Sequence, residues 1–284
     1  MEALFYRLPF SHAMNRPILP RRCVVITGAS SGIGRALAHA LAARGQPLCL
    51  LARRPAPLAQ LADQLRQQHP ETPVQALAGD LTCRETRHGV VTELLDNFQQ
   101  RQLSLDAFVH CAGLGTPAAD LHDWQPDDLE SALQLNAVVP LALIRALLPF
   151  LPAEREPARL VLVGAGIDQR VQPGTGSYGI SKMALRRLFE QLTQELTPYR
   201  ARVALFQPGQ VDTPGLRQHI AAARRCQLPH AAYLQARLEE GSALSADQAA
   251  NVLIRLLRQV PIEAFAGQEW HARQLTDEPS GGNR

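Results

Sequence analysis

The sequence predicts an α/β protein in which a parallel sheet of about seven strands is doubly wound by helices and carries a helical lid. Three observations predict it: short apolar runs alternate with helical-period segments, a glycine-rich turn joins the first run to the first helix, and residues 212–244 interrupt the rhythm. The 284 residues, 46% of them hydrophobic, suit one such domain and supply an ample core.

Strands are expected at 22–27, 47–52, 73–78, 105–111, 159–164 and 201–207, with a weaker one near 262–266. Helices are expected at 32–44, 55–68, 84–101, 126–150, 177–196 and 245–259. Gly45 after Arg44 stops the first helix, and Pro70 and Pro73 bracket a turn. The run 133–151 contains Asn136, Pro140 and Arg145, so it reads as a buried helix and not a membrane span. Residues 1–20 are expected to be a flexible N-terminal arm, with Met14 an alternative start, and 276–284 a disordered tail; 21–275 form the domain.

Net charge is +3 with acids and bases mixed along the chain, which excludes a nucleic-acid-binding tail. Five cysteines (23, 49, 83, 111 and 226) show no C-x-x-C spacing, so no disulfide framework and no metal site is expected, and the setting is a reducing cytoplasm. Within the interruption, Arg217, His219, Arg224, Arg225 and His230 form a basic set. Lying over the carboxyl ends of the strands, 212–244 is read as a substrate lid, the alternative being a solvated helical hairpin. Its arginines either attract an anionic substrate or form a plain solvated face.

The turn Thr27-Gly28-Ala29-Ser30-Ser31-Gly32-Ile33-Gly34 opens a helix directly after a strand. Glycines let backbone approach a pyrophosphate, which the helix N-terminus then stabilises. The same residues satisfy G-x-S-x-G, the turn of a hydrolase nucleophile, but no acid-then-histidine pair follows at strand ends. Farther along, Tyr178 and Lys182 stand at i, i+4 on a helix, which puts phenol and ammonium on one face at about 5–6 Å between Cβ atoms. Lys182 is the only lysine among 29 Lys+Arg. Because an ammonium is a compact charge that tunes a neighbour, lysine at this one place points to a site that needs it; a stray lysine in an arginine-biased composition is the alternative.

Thr27-Gly28-x-x-x-Gly32-x-Gly34, followed roughly 150 residues later by Tyr178-x-x-x-Lys182, resembles the short-chain dehydrogenase/reductase family. The resemblance spans about 20–270 and includes Asp80-Leu81, Ala112-Gly113, Asn136 and Pro208-Gly209-x-Val211-x-Thr213. It implies a Rossmann-type fold and a ketone or aldehyde interconverted with an alcohol by hydride transfer. Tyr178 is then the acid/base, Lys182 tunes it and binds the nicotinamide ribose, and Asn136 holds a water that relays protons; a helix-kink residue beside Pro140 is the alternative for Asn136. The cofactor-binding positions implied are Thr27, Gly28, Ser30, Ser31, Gly32, Ile33, Gly34, Arg53, Arg54, Asp80, Leu81, Ala112, Gly113, Tyr178, Lys182, Pro208, Gly209, Val211 and Thr213. The second strand ends in Ala52, not an acid, and Arg53 and Arg54 follow, which suits the 2′-phosphate of NADP(H). The family also implies a homodimer or homotetramer built on 126–150 and 177–196.

The pattern departs at one place that bears on chemistry. The serine expected 13 residues before the tyrosine is Ala165, with Gly164 and Gly166 beside it. The chain is then slow, or another group such as Asp168, Gln169, Gln210 or the substrate replaces the hydroxyl, or it binds NADP(H) without turnover as a sensor or partner subunit. His110 and Cys111 replace two asparagines, a change expected to alter sheet packing more than chemistry.

Overall fold

Strand β1 (Arg21–Thr27) lies inside the sheet, next to its central strand, and its residues alternate between two cores. Val24 and Ile26 pack to one side with Leu37 and Leu41 of α1 (Gly32–Ala42), Leu61 of α2 (Pro55–Gln68) and Leu253 of α9 (Ala246–Arg258). Cys23 and Val25 pack to the other side with Leu94 of α3 (Arg84–Gln100), Leu143 of α5 (Val139–Leu147) and Leu185 of α6 (Gly176–Glu195). Burial on both faces is why the strands read as continuous apolar runs. Each fully buried large side chain in these layers, such as Phe98 and Phe206, contributes about 1.5–3 kcal/mol.

The computed structural model describes residues 21–115, 118–153 and 156–276, so the expected arm and all but the first residue of the expected tail lie outside the described residues. The strands β2 (Leu48–Ala52), β3 (Val74–Ala78), β4 (Leu103–His110), β5 (Ala158–Val163), β6 (Ala201–Gln207) and β9 (Glu269–His271) complete a seven-stranded sheet in the order β3-β2-β1-β4-β5-β6-β9. Every pairing in it is parallel. The order reverses between β1 and β4, whose last residues Thr27 and His110 are in register. A crevice at such a switch point, outside the carboxyl ends, is where ligands bind in open α/β sheets.

Two elements differ from the sequence-based expectation. The weaker strand near 262–266 is a single helical turn, α10 (Ile262–Phe265); Ile262 and Phe265 are three apart, a helical spacing, and Phe265 is buried. The seventh strand comes later, at Glu269–His271, where pairing with β6 supplies what polar residues could not. The expected helix 126–150 runs uninterrupted from Pro126 to Phe150 but is not α-helical throughout: α4 (Pro126–Leu133) passes through a π-turn at Gln134–Val138 into α5 and ends in a 3-10 turn at Leu148–Phe150. Pro140 has no N–H to bond the carbonyl of Asn136, and the ladder slips there, with Val139 N–H bonding the Gln134 carbonyl.

The insertion comprises β7 (Val211–Asp212), α7 (Pro214–Arg225), α8 (His230–Glu239) and β8 (Leu244–Ser245). β7 pairs with β8, which closes the two ends of the insertion on each other. A capping box between Ser245 and Gln248 then starts α9.

Candidate active site

The glycine turn is shaped by space. Gly28 has φ +68°, and a Cβ built on it would stand 2.7 Å from the Ala112 amide nitrogen. On Gly34 a Cβ would meet the Gly28 carbonyl oxygen at 2.5 Å. Neither position has room for a side chain, and the contacts press the turn against the end of β4. Ser31 caps α1 in an extended conformation without a side-chain hydrogen bond, and Ser30 and Ile33 are half-buried beside it. Thr213 reaches the turn from the lid: its Cγ2 lies 3.1 Å from where a Gly32 Cβ would be, while its hydroxyl accepts from Leu216 N–H.

His110 joins three segments of the site. Its Nε2 faces the Leu135 carbonyl at 3.1 Å, which can only accept, so Nε2 carries the proton. Nδ1 then accepts from the Thr27 hydroxyl at 2.8 Å, and that oxygen accepts from Ala112 N–H at 3.2 Å. Burial and then the charge of Lys182 lower His110 to about 3, so the ring is neutral. The histidine therefore fixes the glycine turn to the π-turn that carries Asn136, a role beyond sheet packing. Burial raises the Cys111 thiol to about 12 against the pull of Lys182.

Tyr178, Lys182 and Asn136 are brought together. Lys182 is buried, donates to the Val163 carbonyl at 2.9 Å, and lies 5.9 Å from the centre of the Tyr178 ring. Asn136 donates to Ser181 Oγ at 2.8 Å, while its buried Oδ1 has no hydrogen-bond partner among the described residues. That oxygen and Lys182 Nζ both converge on Gly113, at 3.4 and 3.5 Å from a Cβ built there. Burial lowers Lys182 to about 8, with Asp168 and Cys111 opposing. Desolvation and then the charge of Asp168 push Tyr178 up to about 12.

At the adenosine end, Ala52 is buried and Arg53 and Arg54 are exposed. Burial pushes the Asp80 carboxyl up, but hydrogen bonds from Thr82 and the charge of Arg53 outweigh it and hold the group below its ordinary range. Leu81 is in the core, Pro208 is buried, Gly209 has φ +72°, and Val211 begins β7.

Among the described residues, the two hydroxyls nearest Tyr178 in sequence, those of Thr175 and Ser177, do not take the place of the serine expected at Ala165. Ala165 precedes the 3-10 turn Gly166–Gln169. Thr175 Oγ1 donates to Gln172 O at 2.8 Å, and Ser177 Oγ accepts from Trp124 Nε1, so both nearby hydroxyls serve the loops. Gln210 accepts from Arg237, and Gln169, with its amide turned to accept, takes a bond from Arg186 Nη2 at 2.6 Å. Asp168 is paired with Arg186. That last group was visible in the sequence only as Arg186 continuing the Tyr178–Lys182 spacing by four more residues.

The insertion rests on the loop beside Tyr178. His219 Nδ1 donates to the Gly115 carbonyl at 2.8 Å, and its Nε2 accepts from His230 Nε2 at 3.1 Å. Ala118, Ala222, Ala223, Leu228 and Ala231 form a small core beneath. Arg217 is bound twice by Asp212 and Arg224 and Arg225 are exposed, as in a solvated face.

Comparison with known proteins agrees with this geometry. The family model for short chain dehydrogenase matches residues 22–223. Sulfoacetaldehyde reductase of Chromohalobacter salexigens is 32% identical over 192 residues, covering 67% of this chain and 73% of that protein. Bovine 3-ketodihydrosphingosine reductase is 29% identical over 197 residues, 69% of this chain and 58% of that protein. Among solved structures, an NADPH-dependent reductase involved in bacilysin biosynthesis superposes with a TM-score of 0.74 at 20% identity, over 89% of this chain and 96% of that one. With the glycine turn, the Tyr178–Lys182 pair and the seven parallel strands in their places, the chain belongs to the short-chain dehydrogenase family of oxidoreductases.

Proposed function

We propose that this chain is an NADP(H)-dependent oxidoreductase that interconverts a ketone or aldehyde with its alcohol. The observation that carries the reading is the convergence of Asn136 and Lys182 on Gly113, with the Tyr178 ring against Gly115 and its centre 5.9 Å from the Lys182 ammonium. The relatives named above are reductases of carbonyl compounds, which supports the reaction class. NADP(H) is supported by the absence of an acid at Ala52 and by the exposed Arg53 and Arg54, whose guanidinium groups suit a 2′-phosphate.

The residues present fit such a cofactor. Gly28 and Gly34 leave backbone-only space where a pyrophosphate would lie, with Thr27, Ser30, Ser31, Gly32 and Ile33 around it. Asp80, Leu81, Ala112, Pro208, Gly209, Val211 and Thr213 would flank the rest, and Lys182 would hold the nicotinamide ribose. When bound, the nicotinamide supplies the hydride. Tyr178 gives its phenolic proton to the carbonyl oxygen in reduction and takes it back in oxidation. A water bonded to Asn136 Oδ1 and Lys182 would replenish that proton.

A second reading has one observation in its favour. Ala165 lacks a hydroxyl, and those of Thr175 and Ser177 are engaged within the loops, which suits a sensor or partner subunit that binds NADP(H) without turnover. NADPH absorbance with a panel of ketones and aldehydes separates the two. Turnover that vanishes in Tyr178→Phe supports the enzyme; NADPH binding without turnover in both wild type and Ala165→Ser supports the sensor. We further propose a cytoplasmic protein, in keeping with five free cysteines, and a homodimer or homotetramer. Val138, Leu141, Ile180 and Met183 are exposed apolar residues on or beside α5 and α6 where copies would meet. Light scattering that gives a monomer would overturn the assembly.

A further inference from the structure

Behind the catalytic face two carboxylates share one guanidinium. Arg186 donates to Glu269 through Nη1 at 2.9 Å and Nη2 at 2.6 Å, and its Nε lies 3.1 Å from Asp168 Oδ2. Gln207 Nε2 donates to the same Asp168 oxygen at 2.9 Å and to Glu269 Oε1 at 3.0 Å. The other Asp168 oxygen, Oδ1, is buried without a hydrogen-bond partner. Asp168 and Glu269 thus face one directly bonded cation, Arg186, with the buried Lys182 the next positive group, and in a low-dielectric setting these charges act strongly on their neighbours.

Those neighbours are the reacting groups. Tyr178, Lys182 and Arg186 follow one another at i, i+4, i+8 along one face of α6. Ile167, next to Asp168, packs against Gly179, next to Tyr178. We propose that Asp168, fixed by Arg186 and Gln207, is a positioning residue that keeps the Tyr178 phenol in its acid form, so that the chain works as a carbonyl reductase rather than an alcohol dehydrogenase. This rests on the oxidoreductase reading and adds a direction to it.

The electrostatics agree with the geometry. After desolvation, Asp168 is what holds Tyr178 up, and Asp168 also supports the charge of buried Lys182. The other ionisable groups around the cluster are Arg186 and Lys182 on α6, Glu269 and His271 on β9, and Cys111 after β4. Glu269 is held below its ordinary range, first by the hydrogen bond from Arg186, and His271 Nε2 stands 3.8 Å from it.

In reduction the carbonyl carbon receives a hydride, with its two electrons, from a reduced nicotinamide. The C=O π pair then forms an O–H bond with the Tyr178 proton, the phenolic O–H bond breaks, and solvent reprotonates the phenolate. Oxidation needs the phenolate at the start. The equilibrium between ketone and alcohol is untouched; what Asp168 changes is the pH range in which each direction runs.

The test is a pair of pH profiles backed by a direct titration. In wild type, kcat/KM for ketone reduction should be level up to about pH 7 and fall as Lys182 loses its proton near 8, whereas alcohol oxidation should climb with pH. Asp168→Asn should move the acid limb of oxidation to lower pH and raise oxidation near neutrality by about three- to tenfold. Asp168→Glu, which keeps the charge, should return the limb towards the wild-type position. Phenolate absorbance, taken as wild type minus Tyr178→Phe without cofactor, reads the same midpoint whether or not any substrate turns over, and it should fall in Asp168→Asn. An unmoved midpoint in folded Asp168→Asn overturns the proposal. If that variant does not fold, a wild-type phenol midpoint or oxidation limb near neutrality overturns it equally. Absent turnover with a lowered midpoint would sink the oxidoreductase reading and leave the role of Asp168 standing.

Discussion

The two sides of the crevice are built from different materials. On the cofactor side, between β1 and α1, the shape is made by backbone and by missing side chains: Gly28 and Gly34 leave no room for a Cβ. On the carbonyl side, after β5, it is made by charge: Ala165 offers only a methyl group, and behind it Asp168, Arg186, Gln207 and Glu269 are bonded together. A dinucleotide can be held by space and amide groups, which a short stretch of sequence encodes completely. The carbonyl side depends on side chains drawn from four separate elements, so its chemistry can change while the cofactor side stays as it is.

The comparison can be broken most strongly on the cofactor side. Gly28→Ala adds an atom against backbone that cannot yield and a side chain at positive φ. A cost of about 1–3 kcal/mol or more should appear as NADPH binding weakened roughly ten- to a hundredfold, measured by fluorescence titration. If binding is unchanged, space does not govern this half. On the carbonyl side, Ala165→Ser should raise kcat/KM for ketone reduction by about 10², the lower end of what one oriented donor supplies. No gain would mean that the charged cluster has reshaped the side beyond repair by one hydroxyl. Arg53→Ala should weaken NADPH binding about tenfold and leave NADH binding within about twofold, since a charged hydrogen bond is worth about 1.5–3 kcal/mol. Equal losses for both cofactors would remove the 2′-phosphate assignment.

The smallest effect concerns the histidine that ties the sides together. His110 titrates at about 3 in the folded chain, below its ordinary value, so the fold favours the neutral ring. Its contribution to stability is complete above about pH 6.5 and is lost as pH falls towards the folded value. Thermal midpoints should drop over that window, and less steeply in His110→Asn, whose amide also offers a donor and an acceptor. Parallel curves for the two proteins would show that His110 is not the group responsible.

What the sequence disclosed follows the same division. The glycine turn, Ala52 with Arg53, and the Tyr178–Lys182 spacing are local, and each lies in the structure where its pattern places it. The Asp168 cluster was hidden because its members come from a turn, a helix and two strands, and only the folded sheet brings Glu269 beside Gln207. The π-turn had a visible cause in Pro140, but the cause alone does not say on which residue the ladder slips. Strand β9 was obscured for a related reason. Its three residues are Glu269, Trp270 and His271, with no alternating apolar pattern, and the ladder with β6 makes them a strand.

That strand gives the edge of the sheet a second meaning. Glu269 is both the first rung of the outermost ladder and a ligand of the guanidinium that holds Asp168. Peeling β9 from β6, or replacing it there with a strand from another chain, would withdraw a carboxylate from the guanidinium that holds Asp168. The rim of this molecule and the Asp168 cluster are therefore mechanically linked, and under the proposal above a partner that never enters the crevice would act on Tyr178.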